Sequence, residues 1–234
     1  MIITKGIDLT KGPTDEFTKI KRRGTTLIPL RQAGLDRFQE NGFPTTNDED
    51  WRFTSLKPFT ELPFEITNEP NSQKIDRSVI DSFAFNQLDT DRLVFVDGYL
   101  YNDLSEISDQ SGQVIVSNLA SALPTIENKI GSLSGKDKNP FIALNDAFFT
   151  DGAWIHIPAN QTLSKPVHLV FLYSAIKDGQ ASHIRNLIIA EANSKGTIIE
   201  SHISLGQAAA SSNIVTETQL GDGSNLEHIK LQDQ

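Results

Sequence analysis

The chain has 234 residues, 38% hydrophobic and 22% charged, enough for one large domain or two small ones whose core needs no covalent staples. A formal charge of -9 and an isoelectric point near 5.0 argue against nucleic-acid binding as the main activity, because such surfaces are basic. The absence of cysteine excludes disulfides, thiolate metal ligands, cysteine nucleophiles and cysteine-held clusters.

The N-terminus, Met1 to Asp8, lacks the charged region and long apolar run of a secretion signal, and no window approaches 18 uninterrupted apolar residues. A soluble cytoplasmic protein is expected. From Thr14 the order of acidic Asp15 and Glu16 before basic Lys19, Lys21, Arg22 and Arg23 suits a helix dipole, with Gly24 as its end. The basic cluster reads as a solvated face. A second helix is predicted over Leu27 to Asn41, where Leu27, Leu30, Gly34 or Leu35, and Phe38 form one apolar stripe. Asn41, Gly42 and Pro44 stop it.

Trp51 and Phe53 follow an acidic turn, and a loop pinned by a buried tryptophan is the simplest reading. Pro58 to Pro70 reads as an irregular linker, and Asn71 to Asp76 as a boundary. Leu93 to Tyr101 is predicted as a hairpin turning at Asp97-Gly98. A short strand at Val114 to Val116 precedes an amphipathic helix from Leu119 through Ile130 to Gly131, and Phe141 to Phe149 can form one more helix. Ala153 to Ile157 then alternates Ile155 and Ile157 against Trp154 and His156.

The last third is a ladder of strands without intervening helices: Val167 to Tyr173, Ile184 to Ala192, Thr197 to Ile203, Asn213 to Leu220 and Asn225 to Gln232. Gly and Asn-rich turns separate them, which is the pattern of a β-solenoid or a sandwich. Gly221-Asp222-Gly223-Ser224 joins two strands and has neither the lysine of a P-loop nor a following helix, so it is a turn.

Strand parity places His202 with Ile198 and Glu200, and His228 with Leu226 and Lys230. His156, His202 and His228 are therefore expected to face outward, His168 to belong to the packed wall, and His183 to sit at a strand end or turn. No H-E-x-x-H or G-x-S-x-G occurs.

One series of landmarks carries further. A helix through Arg31, Ala33 and Phe38 leads into Gly42-Phe43-Pro44-Thr45, then Glu49, Trp51, Phe53, Thr54 and Leu56. Leu93 to Tyr99, Phe141 to Ala147, Asp151 to Pro158, and Leu163 with Pro166-Val167 follow in order. The series resembles SufD-type members of the SufB/SufD family of the Suf iron-sulfur cluster assembly system, from about Arg31 to the last residue.

The resemblance implies a mainly β fold, a right-handed parallel β-helix preceded by a small helical or mixed region. The expected divisions are 1–72 (N-terminal helices and linker), 73–140 (mixed segment) and 141–234 (β-helix coils). It implies a non-enzymatic scaffold whose partners are a SufB-like paralogue and a SufC-like ATPase, with iron or an iron-sulfur cluster handled by the complex and no cofactor bound by this chain. No catalytic, cofactor-binding or metal-ligating residue is assigned, and neither nucleic acid nor membrane is an expected partner. Because the sequence stops inside the β-helix of a usual member, a fragment or shortened homologue is expected. Its last rung would be open to a homodimer or paralogue contact through β-helix edges.

Two other classes stay in view. A β-helix polysaccharide lyase or acyltransferase would line an outer wall with residues such as Glu200, His202, Glu217, Gln219, His228 and Lys230. A pure interaction module would dock through the N-terminal helices.

Overall fold

The computed structural model describes residues 27–60, 65–67, 69–70, 74–81, 87–110, 113–134 and 137–233. The helix expected from Thr14 lies outside them. The first described element is α1 (Ile28–Asn41), which has Pro29 in its first turn and whose apolar stripe buries Leu35 and Phe38. It lies across α5 (Pro140–Phe148), capped by the Asn139 side chain, which accepts from the Phe141 N–H at 2.9 Å. A Cβ on Gly34 would stand 2.7 Å from the Ala143 carbonyl oxygen and 2.9 Å from the Ala147 amide nitrogen, so only glycine permits this crossing.

Between these helices the chain forms α2 (Lys57–Thr60), β1 (Glu65–Ile66), α3 (Arg77–Asp81), β2 (Asp91–Val96), β3 (Tyr99–Leu100), β4 (Ile115–Asn118) and α4 (Leu119–Ile126). After α5 come β5 (Ala153–Ile157), β6 (Val167–Tyr173), β7 (Gln180–Ala190), β8 (Lys195–Ser204), β9 (Ser211–Leu220) and β10 (Asn225–Asp233). The architecture is mixed α/β, with two mostly parallel sheets; the helices that cover one sheet make it less purely β than the sequence suggests.

From β5 onward successive strands alternate between the sheets. One sheet carries β5, β7 and β9 in parallel, with β1 parallel to the start of β7 and β4 antiparallel to β5. The other carries β2, β6, β8 and β10 in parallel, ended by β3 antiparallel to β2. The β2–β3 turn has Asp97 at φ 50° and Gly98 at φ 89°, the positive pair that a tight primed hairpin needs.

The space between the sheets is packed by Leu93, Phe95, Ile155, Ile157, Leu169, Phe171, Ile188 and their neighbours. Each such side chain contributes about 1.5–3 kcal/mol by leaving water. The outer faces are covered as well. Trp154, Leu187 and Ile189 meet Leu119, Ile126 and Phe149, while Val94, Val96, Val170 and Leu172 meet Ile80 and Leu104. Both faces of the inner strands are therefore dry, and β6 is buried along its whole length.

Several sequence expectations shift. Trp51 is half-buried, its ring 5.5 Å from Phe141, and Phe53 is 93% exposed, so the loop is pinned by an edge contact and not by a buried tryptophan. Part of the linker at Pro58 is helical as α2, where Phe59 packs on Phe43 at 5.5 Å. The helix from Leu119 ends at Ile126, and β7 begins at Gln180, four residues before the expected Ile184, because β1 pairs with Gln180 and Ala181.

Candidate functional site

The inward faces of the second sheet change character from rung to rung. Register aligns Leu169 with Glu200 and Lys230, Phe171 with His202 and Gln232, and Val167 with Ile198 and His228. An apolar interior thus becomes polar within two strands.

Glu200 is 1% exposed and His202 0%, a correction to the outward placement expected for both. Parity grouped them correctly with Ile198. The side of the sheet was misassigned because β8 is covered on both faces, so counting Ile199 and Ile203 against Ile198 could not identify the interior. His228 and Lys230 also turn toward Glu200, with side chains 31% and 44% exposed.

Glu200 collects four partners. His202 Nε2 lies 3.2 Å and His228 Nε2 3.0 Å from its two oxygens, the Lys230 ammonium 3.8 Å away, and the Thr216 hydroxyl donates from β9 at 3.3 Å. Asn186 on β7 donates in turn to Thr216 at 3.1 Å. His202 Nδ1 meets the Tyr173 hydroxyl at 3.0 Å, and its ring stacks 5.0 Å from Phe171. His202 donating from Nε2 to Glu200 and Tyr173 donating to Nδ1 fit both contacts of the ring.

Burial pushes the Glu200 carboxyl up, but the hydrogen bonds and charges of His202 and His228 outweigh it and bring it down to about 2. Tyr173 is pushed up, first by burial, so its hydroxyl stays protonated. The arrangement is a carboxylate held ionised beside two imidazoles, suited to fixing charge. Glu200 and His202 are closed to any polymer substrate.

The remaining histidines serve packing. His168 is buried in the wall as expected, its Nε2 2.8 Å from the Ser201 hydroxyl, and burial lowers it to about 4. His183 is inside β7 and buried, not at a turn, and burial brings it to about 4. His156 faces outward as expected and pairs with Glu191 at 2.8 Å. Among the described residues no group of three or more His, Asp or Glu stands ready to hold a metal ion.

Glu217, also expected outside, lies buried on the outer face of β9 against Arg185. Arg185 is fully enclosed: its Nε is 3.0 Å from Glu217, its guanidinium pairs with Asp146 of α5, and it donates to Ser134 at 2.7 Å. Asp146 also pairs with Arg37 of α1. Glu217 accepts from the Gly131 and Leu133 N–H groups at 2.8 and 3.0 Å. Sequence reading missed this cluster; the signal available was a lone arginine inside an apolar strand.

The model of the SufBD protein N-terminal region matches residues 15–169, and that of the SufBD core domain of the SUF iron-sulfur cluster assembly system matches residues 171–234. The chain belongs to the SufBD family. An iron-sulfur cluster assembly SufBD family protein of Synechocystis is 28% identical over 217 residues, covering 88% of this chain and 47% of that relative. The iron-sulfur cluster assembly protein SufD of Escherichia coli is 25% identical over 211 residues, 89% of this chain and 47% of its own. The SufD of Bacillus subtilis is 24% identical over 222 residues, 90% and 49%. This SufBD member spans about half the length of the curated relatives it matches. No helix among its described residues is long and apolar enough to cross a membrane.

Proposed function

We propose that this chain is a non-enzymatic scaffold subunit in iron-sulfur cluster assembly, acting in the cytoplasm beside a SufB-like paralogue and a SufC-like ATPase. Iron or a nascent cluster is cargo of the complex on this reading, not a resident of this chain. The observation that carries it is the match to both successive family regions, 15–169 and 171–234, in a chain whose strands alternate between two parallel sheets.

That alternation supports a right-handed parallel β-helix, each coil supplying one strand per sheet. The divisions are 1–72 for the N-terminal helices and linker, 73–140 for the mixed lead-in and 141–234 for the coils. The lyase or acyltransferase reading loses support, because Glu200 and His202 are buried between the sheets and Glu217 lies in the Arg185 cluster.

Co-expression with SufB-like and SufC-like partners, followed by size-exclusion chromatography, tests the proposal. Co-elution with the SufB-like chain is expected, and the isolated protein should hydrolyse no ATP. Elution of this chain by itself in the presence of both partners would sink the scaffold reading.

A further inference from the structure

Two residues that face each other in register, His183 on β7 and Asn213 on β9, fasten α5 to the sheet beneath it. The Phe148 ring of α5 lies over the His183 imidazole, 5.8 Å between centroids, and His183 is 6% exposed. From β9 the Asn213 side-chain nitrogen donates to the Phe141 carbonyl in the first turn of α5 at 2.7 Å, and the same nitrogen lies 3.2 Å from His183 Nδ1. Asn145 of α5 donates in return to the backbone carbonyls of Ile184 and Asn213, at 2.7 and 2.9 Å.

These contacts fix where the protons are. The Phe141 carbonyl can only accept, so the Asn213 atom that faces it is the nitrogen; an amide nitrogen can only donate, so His183 Nδ1 is the acceptor. The folded protein therefore requires a neutral imidazole. A proton on Nδ1 would set two donors against each other. Turning the amide to offer its oxygen would press that oxygen on the Phe141 carbonyl, so one of the two contacts is lost either way.

The charged groups on the surrounding elements are already engaged. Arg185 of β7, Glu217 of β9, Asp146 of α5 and Arg37 of α1 pair among themselves. Asp97 in the β2–β3 turn accepts from Ser174, and Asp151 ahead of β5 accepts from Asn118 and the Ala120 N–H. Burial is what lowers the His183 imidazole, to about 4.

We propose that the His183–Asn213 contact is an acid-sensitive latch: it holds α5, and α1 lying across it, on the β7–β9 sheet, and protonation of the imidazole favours the state in which this helical layer has lifted. The Arg185 cluster sets how rare that opening is, and the imidazole sets how it changes with pH. In the lifted state the imidazole meets water and returns to its ordinary 6.5, so that state takes up the proton first. The latch is at full strength above pH 6.5 and weakens as pH falls toward 4.

Hydrogen exchange of the full chain, corrected for intrinsic rates, tests this between pH 7 and pH 5. Protection in α5 is expected to fall about 20-fold across that interval, the ratio that a shift from 6.5 to about 4 produces at pH 5. His183→Gln places a side-chain carbonyl that can accept from Asn213 but does not titrate, so its α5 protection should hold steady over the same interval. Unchanged α5 protection in the parent would overturn the proposal. An equal fall in His183→Gln would overturn it too, by assigning the acid opening to another group such as the buried His168. If the variant does not fold, the imidazole nitrogen shifts of the parent decide: Nδ1 still unprotonated at pH 5 is expected, and half-protonation near pH 6.5 would show that no latch exists.

Discussion

Two buried clusters of charge sit within this molecule, one on the outer face of the β7–β9 sheet and one between the sheets. The outer cluster joins Arg37, Asp146, Arg185 and Glu217, and so ties α1, α5, the 131–133 loop and two strands to one another. The inner cluster gathers His202, His228, Lys230 and Thr216 around Glu200. The first pairs two guanidiniums with two carboxylates, whereas the second surrounds one carboxylate with titratable imidazoles and a half-exposed ammonium. The outer cluster therefore clamps helices to strands, whereas the inner one holds a single carboxylate ionised between the sheets.

Arg185→Met should break this contrast most severely. It leaves Asp146 and Glu217 buried without their shared cation, a loss of about 3–5 kcal/mol. Urea unfolding would register it as a large drop in midpoint. Adding Asp146→Asn and Glu217→Gln should recover much of that loss, since the stranded charges are then gone. An Arg185→Met midpoint close to the parent's would show that the clamp contributes little.

The inner cluster should instead reveal itself through pH. The Glu200 carboxyl is held at about 2 in the fold against an ordinary 4.5, so the unfolded chain takes up this proton first as pH falls. The stability Glu200 lends is complete above pH 4.5 and is lost as pH drops toward 2, on the order of 3 kcal/mol in all. Glu200→Gln should flatten that portion of a stability-versus-pH curve. A parent and variant whose curves run parallel through this window would refute the assignment.

What was legible in the sequence follows the same division. Strand positions, the Asp97-Gly98 hairpin and α1 were readable because each rests on local pattern and turn chemistry. The parity of Ile198, Glu200 and His202 was readable too, but their side of the sheet was not, because covering both faces of β8 erases the usual contrast between wet and dry. The clamp was invisible for another reason. Arg185 finds Asp146 across 39 positions and Arg37 finds it across 109, and no local period encodes such pairings. The ordered landmarks from Arg31 onward identified the family where periodicity could not choose between solenoid and sandwich.

Gly34→Ala probes the clamp from its helical side. The new methyl would press on the Ala143 carbonyl and the Asp146 Cβ, each 2.7 Å away, and push α1 off α5. Overpacking of this kind costs about 1–3 kcal/mol. Hydrogen exchange should speed up in α1 and α5 while the β6–β8 ladder keeps its protection. Uniform loss of protection across both sheets would mean that the helical layer and the coils unfold as one unit, erasing the distinction between the two clusters.

The smallest expected effect belongs to His228→Gln. His228 lies 3.0 Å from Glu200, but its side chain is 31% exposed, so water solvates the imidazole and weakens the pair. Partly solvated pairs of this type contribute roughly 0–1 kcal/mol. The buried carboxylate keeps His202, Thr216 and Lys230 as partners, so the loss is cushioned in a way that Arg185→Met is not. The informative readout is the position of the acid transition. Removing one of the groups that hold the Glu200 carboxyl down should move its loss of stability to higher pH while leaving the neutral-pH midpoint nearly unchanged. A large drop at neutral pH with no movement of the acid transition would instead make His228 a packing residue, and Glu200 would owe its low pKa to His202 and its other neighbours.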